Sequence, residues 1–418
     1  MRKERLKPFV EWLAELQGSA SDLDGLHQSL CRRLLTLGYG IWRSGLLLET
    51  LDPEFSGGRI VWSREGEEEV QVTLNPHTQD VSEAYARSPL KIVDETGRTL
   101  RARLDAPVLA LPLFEELRAE GATDYMIVPL AFTDRRRSAG LSFTTDTVGG
   151  FTDEDVNELE IMAKLISATF EVRLLRHIAI NLLDTYVGPR AGANILDGSV
   201  KRGDGGRMRA VIWYSDLRNF TRLTETMETS ELLDLLNEYF DIVGTAAIRR
   251  GGEVVQHIGD AIMIYFTVPD DTTDGKVTAG VVDAAAEALA GLDAANEARR
   301  ARGALEIKCG IGLDIGEVTH GNVGSVRRLS FNVVGPAVNR AARIETLTKA
   351  LGTPLLMSAD FARTTDRPWL SAGWHALKGV PDPVEIARLP EAAHPAAAGQ
   401  SEDRRPVQAP LPLDPARS

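Results

Sequence analysis

The stretch EVVQHIGDAIMIYF, residues 253–266, reads as two short β-strands folded back on each other at Gly259 and Asp260. EVVQHI and AIMIYF are rich in β-branched and aromatic residues, and Gly-Asp between two such runs is turn chemistry. Upstream, residues 209–215 form another strand, which ends on Asp216. Between them TSELLDLLNEYFDIVGTAAIRR (229–250) presents a near-continuous apolar helical face and stops at Gly251 and Gly252.

Downstream the same alternation continues. An Ala-rich helix covers about residues 276–302. Strands follow in LEIKCGIGLDIGEV (305–318) and RLSFNVVG (328–335). PAVNRAARIETLTKALG (336–352) is a helix with Pro336 in its first turn and Gly352 at its end. The order β-α-β-β-α-β with additions is the ferredoxin-like pattern and gives an α+β fold class.

This order gives Asp216 and Asp260 a meaning that neither has alone. A lone Asp at a strand end or hairpin tip suits a turn or a cap. In a β-α-β-β sheet, however, the first strand lies beside the hairpin, so both carboxylates meet at one edge. Two adjacent carboxylates repel unless a cation lies between them, and hard oxygen ligands of this kind suit Mg²⁺ with water and phosphate oxygens. Asn339 and Arg343 are four apart and share a helix face. Such a pair suits a solvated surface, or an amide and a guanidinium fork holding phosphoryl oxygens.

The motifs YSDLRNFTRLTE, GGEVVQHIGDAIMIYF, GIGLDIGEVTHGNVGS and FNVVGPAVNRAARIE, in this order over about residues 207–390, together resemble the class III nucleotide cyclases. The resemblance implies a homodimer with two active sites between cyclase domains. It implies that Asp216 and Asp260, helped by the Leu217 carbonyl, hold two divalent ions, Mg²⁺ or Mn²⁺. Phe220 and Thr221 would lie in a loop wrapping the triphosphate. Asn339 and Arg343 of the other protomer would orient the ribose and stabilise the reacting α-phosphate, and Lys378 in WHALKGV would contact the terminal phosphates. The 3′-hydroxyl would attack the α-phosphorus in line and expel pyrophosphate, by two-metal logic.

The purine-reading positions depart from the familiar patterns. Gln256 stands where the adenylate pattern has Lys, and Asn332 where it has Asp or Thr; Glu and Cys of the guanylate pattern are absent too. A Gln amide donating to N1 and an Asn carbonyl accepting from N6 would read adenine. Both amides can rotate and read guanine instead, so ATP is the expected substrate and GTP the alternative. A catalytically silent nucleotide-binding homologue is a further alternative, weakened by the intact carboxylates and Asn/Arg pair. His257 alternates with Gln256 and is expected on the opposite sheet face as a structural residue.

The first half is read as an amphipathic helix (1–20), a mixed α/β region (21–172) and a long connecting helix (152–190). LHQSLCRRLLTLG is helical and stops at Gly38, whereas YMIVPLAF and AGLSFTTD are strands about the turn TDRRRS. Thr152 and Asp155 form a capping box at the start of the long helix, which suits either a packed terminal helix or a parallel dimer helix. The region loosely resembles a GAF domain, which implies a sensory or dimerising module with a small-molecule or protein input that the sequence does not name. GSVKRGDGGRMR (198–209) marks a boundary, and the Pro/Ala-rich segment 391–418 reads as a disordered tail.

Composition sets outer limits. The 418 residues suffice for two or three domains, and the net charge of −13 argues against nucleic acid or an anionic membrane surface as partner. No apolar run approaches the roughly 20 residues of a membrane-spanning helix. Cys31 and Cys309 are the only cysteines, which excludes a disulfide framework and fits a cytoplasmic setting.

Overall fold

The computed structural model describes residues 3–16, 22–65, 70–77, 82–133, 138–269, 274–325 and 327–390. The chain divides into two compact units between Ala193 and Asn194.

The first unit runs α1 (Lys3–Leu16), α2 (Leu23–Thr36), β1 (Arg43–Glu49), β2 (Phe55–Ser63), β3 (Gln71–Pro76), α3 (Ser82–Ala86), α4 (Pro89–Thr96), β4 (Leu100–Arg103), α5 (Pro112–Ala119), β5 (Asp124–Pro129), β6 (Ala139–Thr145) and α6 (Asp153–Val187). Its strands form one antiparallel sheet in the order β3-β2-β1-β6-β5-β4. One face packs Leu46, Met126 and Leu141 against Phe9 of α1, Leu30 of α2 and Ile166 of α6. The other face packs Tyr125 and Ile127 against Val93 of α4 and Phe114 of α5.

Two boundaries read from sequence merge here. The N-terminal helix is not separate, because Phe9 is wholly buried and Arg5 reaches Asp155 at 2.8 Å. The long helix is likewise part of this core as far as Leu182. Its expected cap is present: Thr152 and Asp155 bond reciprocally, and Gly188 ends the helix. Cys31 is buried, and burial pushes its thiol up to about 12, so it packs rather than reacts. Residues 134–137 of the expected TDRRRS turn and the segment 391–418 lie outside the described residues.

α7 (Pro189–Leu196) is followed by the second unit: β7 (Gly205–Leu217), α8 (Phe220–Thr226), α9 (Thr229–Ile248), β8 (Glu253–Ile258), β9 (Ala261–Thr267), α10 (Asp274–Ala301), β10 (Cys309–Ser325), β11 (Arg328–Val334), α11 (Pro336–Ala350), β12 (Leu355–Ser358), α12 (Ala359–Ala362), β13 (Leu370–His375) and β14 (Val384–Arg388). Its sheet has the order β13-β14-β12-β10-β7-β9-β8, with β11 paired to the far half of β10. The four strands β10-β7-β9-β8 are antiparallel throughout.

Alternation along β7 sorts its side chains. Val211 and Trp213 face α9 and α10, packing with Tyr239, Val243 and Ala285. Ala210, Ile212 and Tyr214 face the opposite side, where α11 brings Ala337 and Ala341. Asp216 continues that second row. β10 runs on to Ser325, past the expected end at Val318. Residues 319–325 lack the apolar alternation that marks a strand in sequence, and pairing with β11 supplies their backbone partners. Among the described residues, no helix is long and apolar enough to cross a membrane.

Candidate active site

Register brings the two carboxylates together. Asp216 pairs with Ala261 on β9, and Asp260 is the residue immediately before it in the β8–β9 turn. Gly259 makes that turn with φ +65°, which glycine adopts without strain. The Asp260 carboxyl hydrogen-bonds to Asp216, and its pKa is pushed up to about 7, first by burial and then by Asp216 itself. Asp216 Oδ1 is buried without a hydrogen-bond partner among the described residues. A buried, unpartnered carboxylate oxygen beside a second carboxylate lacks positive charge, and the donor set fits a divalent cation. The Leu217 side chain lies in the core, so that residue can offer only its main chain.

This pair predicts a pH-dependent response to metal. Asp260 and Glu345 both have raised pKa values in the fold, each to about 7. The folded chain then holds protons that the unfolded chain has released, so metal-free stability falls as pH rises from the ordinary carboxylate range through about 7. A divalent cation displaces the proton on Asp260. Mg²⁺ or Mn²⁺ should therefore raise the melting temperature more at about pH 8 than at about pH 5. Equal shifts at both would remove the carboxylate pair from metal binding.

Asn339 and Arg343 share an exposed face of α11. Among the described residues neither side chain has an intrachain hydrogen bond or ion pair. The helix beneath them is held at two points. Arg340 donates from Nε to the wholly buried Asp314 at 2.6 Å, and Ser358 donates to the other Asp314 oxygen at 2.6 Å. Further along, Arg218 bonds Glu345 at 3.2 Å and also reaches Thr348. Arg218 follows the carboxylate strand directly, so this contact joins the strand end to α11. Burial raises the Glu345 carboxyl, opposed by Arg218 and reinforced by Asp216. Burial, then the charges of Asp216, Glu345 and Asp260, raise the Tyr214 phenol, with Arg343 opposing. Tyr214 thus lies within the field of both groups.

The sequence did not reveal either clamp. Arg218 and Glu345 are 127 positions apart, and Asp314 and Arg340 are 26 apart, so no local spacing links them. The signal that existed was indirect: an Arg beside a candidate ligand, and a charged residue inside an otherwise apolar strand.

Phe220 and Thr221 correct the expected loop. They open the short helix α8, and the turn itself is Arg218–Asn219, with Asn219 at φ +62°. Asn tolerates that left-handed conformation, and a helix starts immediately after it. Phe220 packs against the core and Thr221 is exposed.

Gln256 and Asn332 come from β8 and β11, and their neighbours Val255 and Phe331 pack in one cluster with Tyr265. A bulge at Val255 separates Val254 from Gln256 in the ladder. His257 turns to the helix side, with its ring 4.3 Å from that of Phe240. Asn332 Oδ1 accepts the Val333 N–H at 2.8 Å. Lys378 is exposed in the turn between β13 and β14, next to Leu377, which packs with Ile344 of α11.

Comparison with known proteins bears on the second unit. Residues 207–359 match the family model described as the adenylate and guanylate cyclase catalytic domain. An adenylate cyclase of Anabaena cylindrica is 29% identical over 248 residues, 58% of this chain and 47% of its own length. Adenylate cyclase 1 of Rhizobium meliloti is 30% identical over 153 residues, 36% of this chain and 23% of its own length. The crystal structure of the guanylyl cyclase Cya2 is 31% identical, covers 44% of this chain and 92% of its own, and has a TM-score of 0.39. The chain spans less than half the length of the two curated relatives.

Proposed function

We propose that this chain is a class III adenylate cyclase that converts ATP to 3′,5′-cyclic AMP and pyrophosphate as a homodimer. The observation that carries the reading is the Asp216–Asp260 pair, with its unpartnered buried oxygen, in the same domain as the uncommitted Asn339 and Arg343. The names of the Anabaena and Rhizobium relatives support ATP.

In this reading Asp216, Asp260 and the Leu217 carbonyl hold two divalent ions, Mg²⁺ or Mn²⁺. When bound, those ions lower the pKa of the 3′-hydroxyl and neutralise charge developing on the phosphates. Arg343 donates to the reacting α-phosphate from the partner protomer, and Asn339 orients the ribose. Phe220, Thr221 and Lys378 flank the triphosphate. Catalysis rests on positioning and fixed charge. The two clamps on α11 hold Asn339 and Arg343 in place before substrate arrives.

Asn332 favours a second reading. With Oδ1 held by Val333, its free amide hydrogens point to an acceptor. Guanine O6 is one, and Gln256 could accept from guanine N1–H. The test is to assay purified protein with Mn²⁺ or Mg²⁺ against ATP and GTP separately. ATP is expected to give the larger kcat/KM, and Gln256→Lys to widen the ratio by about tenfold or more, since a lysine cannot accept from N1–H. Preferential cyclic GMP overturns the substrate, and no product from either nucleotide overturns the enzyme.

We read the first unit as a GAF-like sensory module, supported by its six-stranded antiparallel sheet with α2 and α6 on one face. Its input is a small molecule or a protein. Cavities of about 510 Å³, lined by Leu48, Ile60 and Leu174, and of about 390 Å³, lined by Leu47, Val61 and Tyr125, offer room for the former. A cytoplasmic setting suits the nucleotide substrate and the two free thiols.

A further inference from the structure

We propose that the Tyr214 hydroxyl is a substrate-binding group of the candidate active site, donating a hydrogen bond to a phosphoryl oxygen of the nucleoside triphosphate. The inference rests on the metal and triphosphate reading under Proposed function and adds a residue to that site. Tyr214 lies on β7 two residues before Asp216. Both side chains therefore leave the same face of the sheet, about 7 Å apart along the strand.

What holds the ring also aims it. Tyr214 pairs with Gly312 of β10 on one side and with Met263 of β9 on the other. Gly312 has no side chain, and the Ala341–Glu345 turn of α11 fills the space above it. Met263 is 2% exposed. The ring thus packs beside a helix turn and a buried side chain, in a cluster with Ile212 and Ala341. Its hydroxyl end lies in the field of Asp216, Glu345 and Asp260. The phenol is therefore fixed beside the carboxylate pair before any ligand binds, which lowers the cost of ordering it later.

The hydroxyl has no use within the chain. Of the seven tyrosines, Tyr39, Tyr85, Tyr125, Tyr239 and Tyr265 each share a hydrogen bond with a carboxylate or a serine hydroxyl. Tyr186 is 79% exposed. Tyr214 is partly buried, and among the described residues its hydroxyl has no hydrogen bond. A phenylalanine would pack there as well without taking a polar group out of water. An ordinary phenol keeps its proton below about pH 10, and here burial, then Asp216, Glu345 and Asp260, raise it further. Tyr214 is thus a donor in a place where the ionised carboxylates only accept. A donor without an acceptor, beside a carboxylate pair that draws in cations, fits a ligand rich in anionic oxygen. Phosphoryl oxygens that accompany those cations are such acceptors, and a hydrogen bond to an ionised oxygen is about twice as strong as a neutral one.

Calorimetric titration of the full chain tests this without turnover. Mn²⁺ is titrated alone, and then inorganic tripolyphosphate at saturating Mn²⁺, into the wild-type chain and into Tyr214→Phe. The variant keeps the ring in its cluster and is expected to melt at the wild-type temperature. Its affinity for Mn²⁺ should be unchanged, whereas its Kd for tripolyphosphate should rise by about tenfold. Equal tripolyphosphate binding by the two chains overturns the proposal. So does an equal loss of Mn²⁺ affinity, which would make the phenol a support of the carboxylates and not a phosphate ligand. If the wild-type chain itself binds no tripolyphosphate at saturating Mn²⁺, the triphosphate site under Proposed function falls, and the role of Tyr214 falls with it. Failure of the phenol alone and failure of the site are therefore separate results, and neither depends on which purine is preferred.

Discussion

Asp260→Asn yields a folded chain whose cyclic nucleotide production falls by about a thousandfold or more. The substitution preserves shape and removes one charge. Asp260 stands against Asp216 and already holds its proton up to about pH 7 in the metal-free fold. Removing that charge relieves repulsion, so the metal-free melting temperature at neutral pH should hold or rise. The stabilisation by Mn²⁺ or Mg²⁺ should disappear together with the activity. A variant that keeps turning over ATP would refute the metal role of the pair, and one that loses activity by unfolding would show a fallen melting temperature.

The same variant tests sharing between protomers. Arg343→Ala removes an exposed side chain that has no hydrogen bond or ion pair among the described residues, so the fold is expected to hold. Each variant alone lacks one group at both sites of a homodimer. Mixed in equal amounts with free exchange, half of the dimers are heterodimers, each with one intact site and one doubly defective site, restoring about a quarter of wild-type activity. If each site were built within one chain, the mixture would stay as inactive as its parts.

The carboxylate pair was legible because strand order alone decides it. Once residues 253–266 are a hairpin beside residues 209–215, Asp216 and Asp260 must meet. The register with Ala261 adds position, not identity. That Asn339 and Arg343 share a helix face was legible from spacing, whereas their place in a site came from the cyclase resemblance. The supports were not legible. Arg218–Glu345 and Arg340–Asp314 depend on how far α11 lies from β10, which no periodicity records. Phe220 and Thr221 were placed in a loop by the cyclase resemblance, and a seven-residue helix has too few turns to show a period that would have corrected it.

Gly312→Ala is expected to destabilise the second unit by about 3 kcal/mol or more and to abolish most activity. Gly310, Gly312 and Gly316 alternate along β10 on the side that receives α11, with Asp314 among them as the Arg340 anchor. A methyl group on Gly312 would run into the Ala341 carbonyl oxygen and the Glu345 backbone. These are main-chain atoms of a helix and cannot rotate away, so α11 itself must move. Asn339 and Arg343 move with it, and both clamps are stretched. Gly316→Ala is the control, because its methyl would meet the Ala337 side chain at 3.3 Å, a contact that small adjustments relieve. Its cost should stay below about 1 kcal/mol. Asp216 and Asp260 sit on β7 and in the β8–β9 turn, so metal-induced stabilisation of the Gly312→Ala chain should survive wherever the chain still folds. Denaturant unfolding with and without Mn²⁺, alongside turnover, separates the two effects. Equal costs at Gly312 and Gly316 would mean that β10 does not set the height of α11, and the clamps alone would then have to position Asn339 and Arg343.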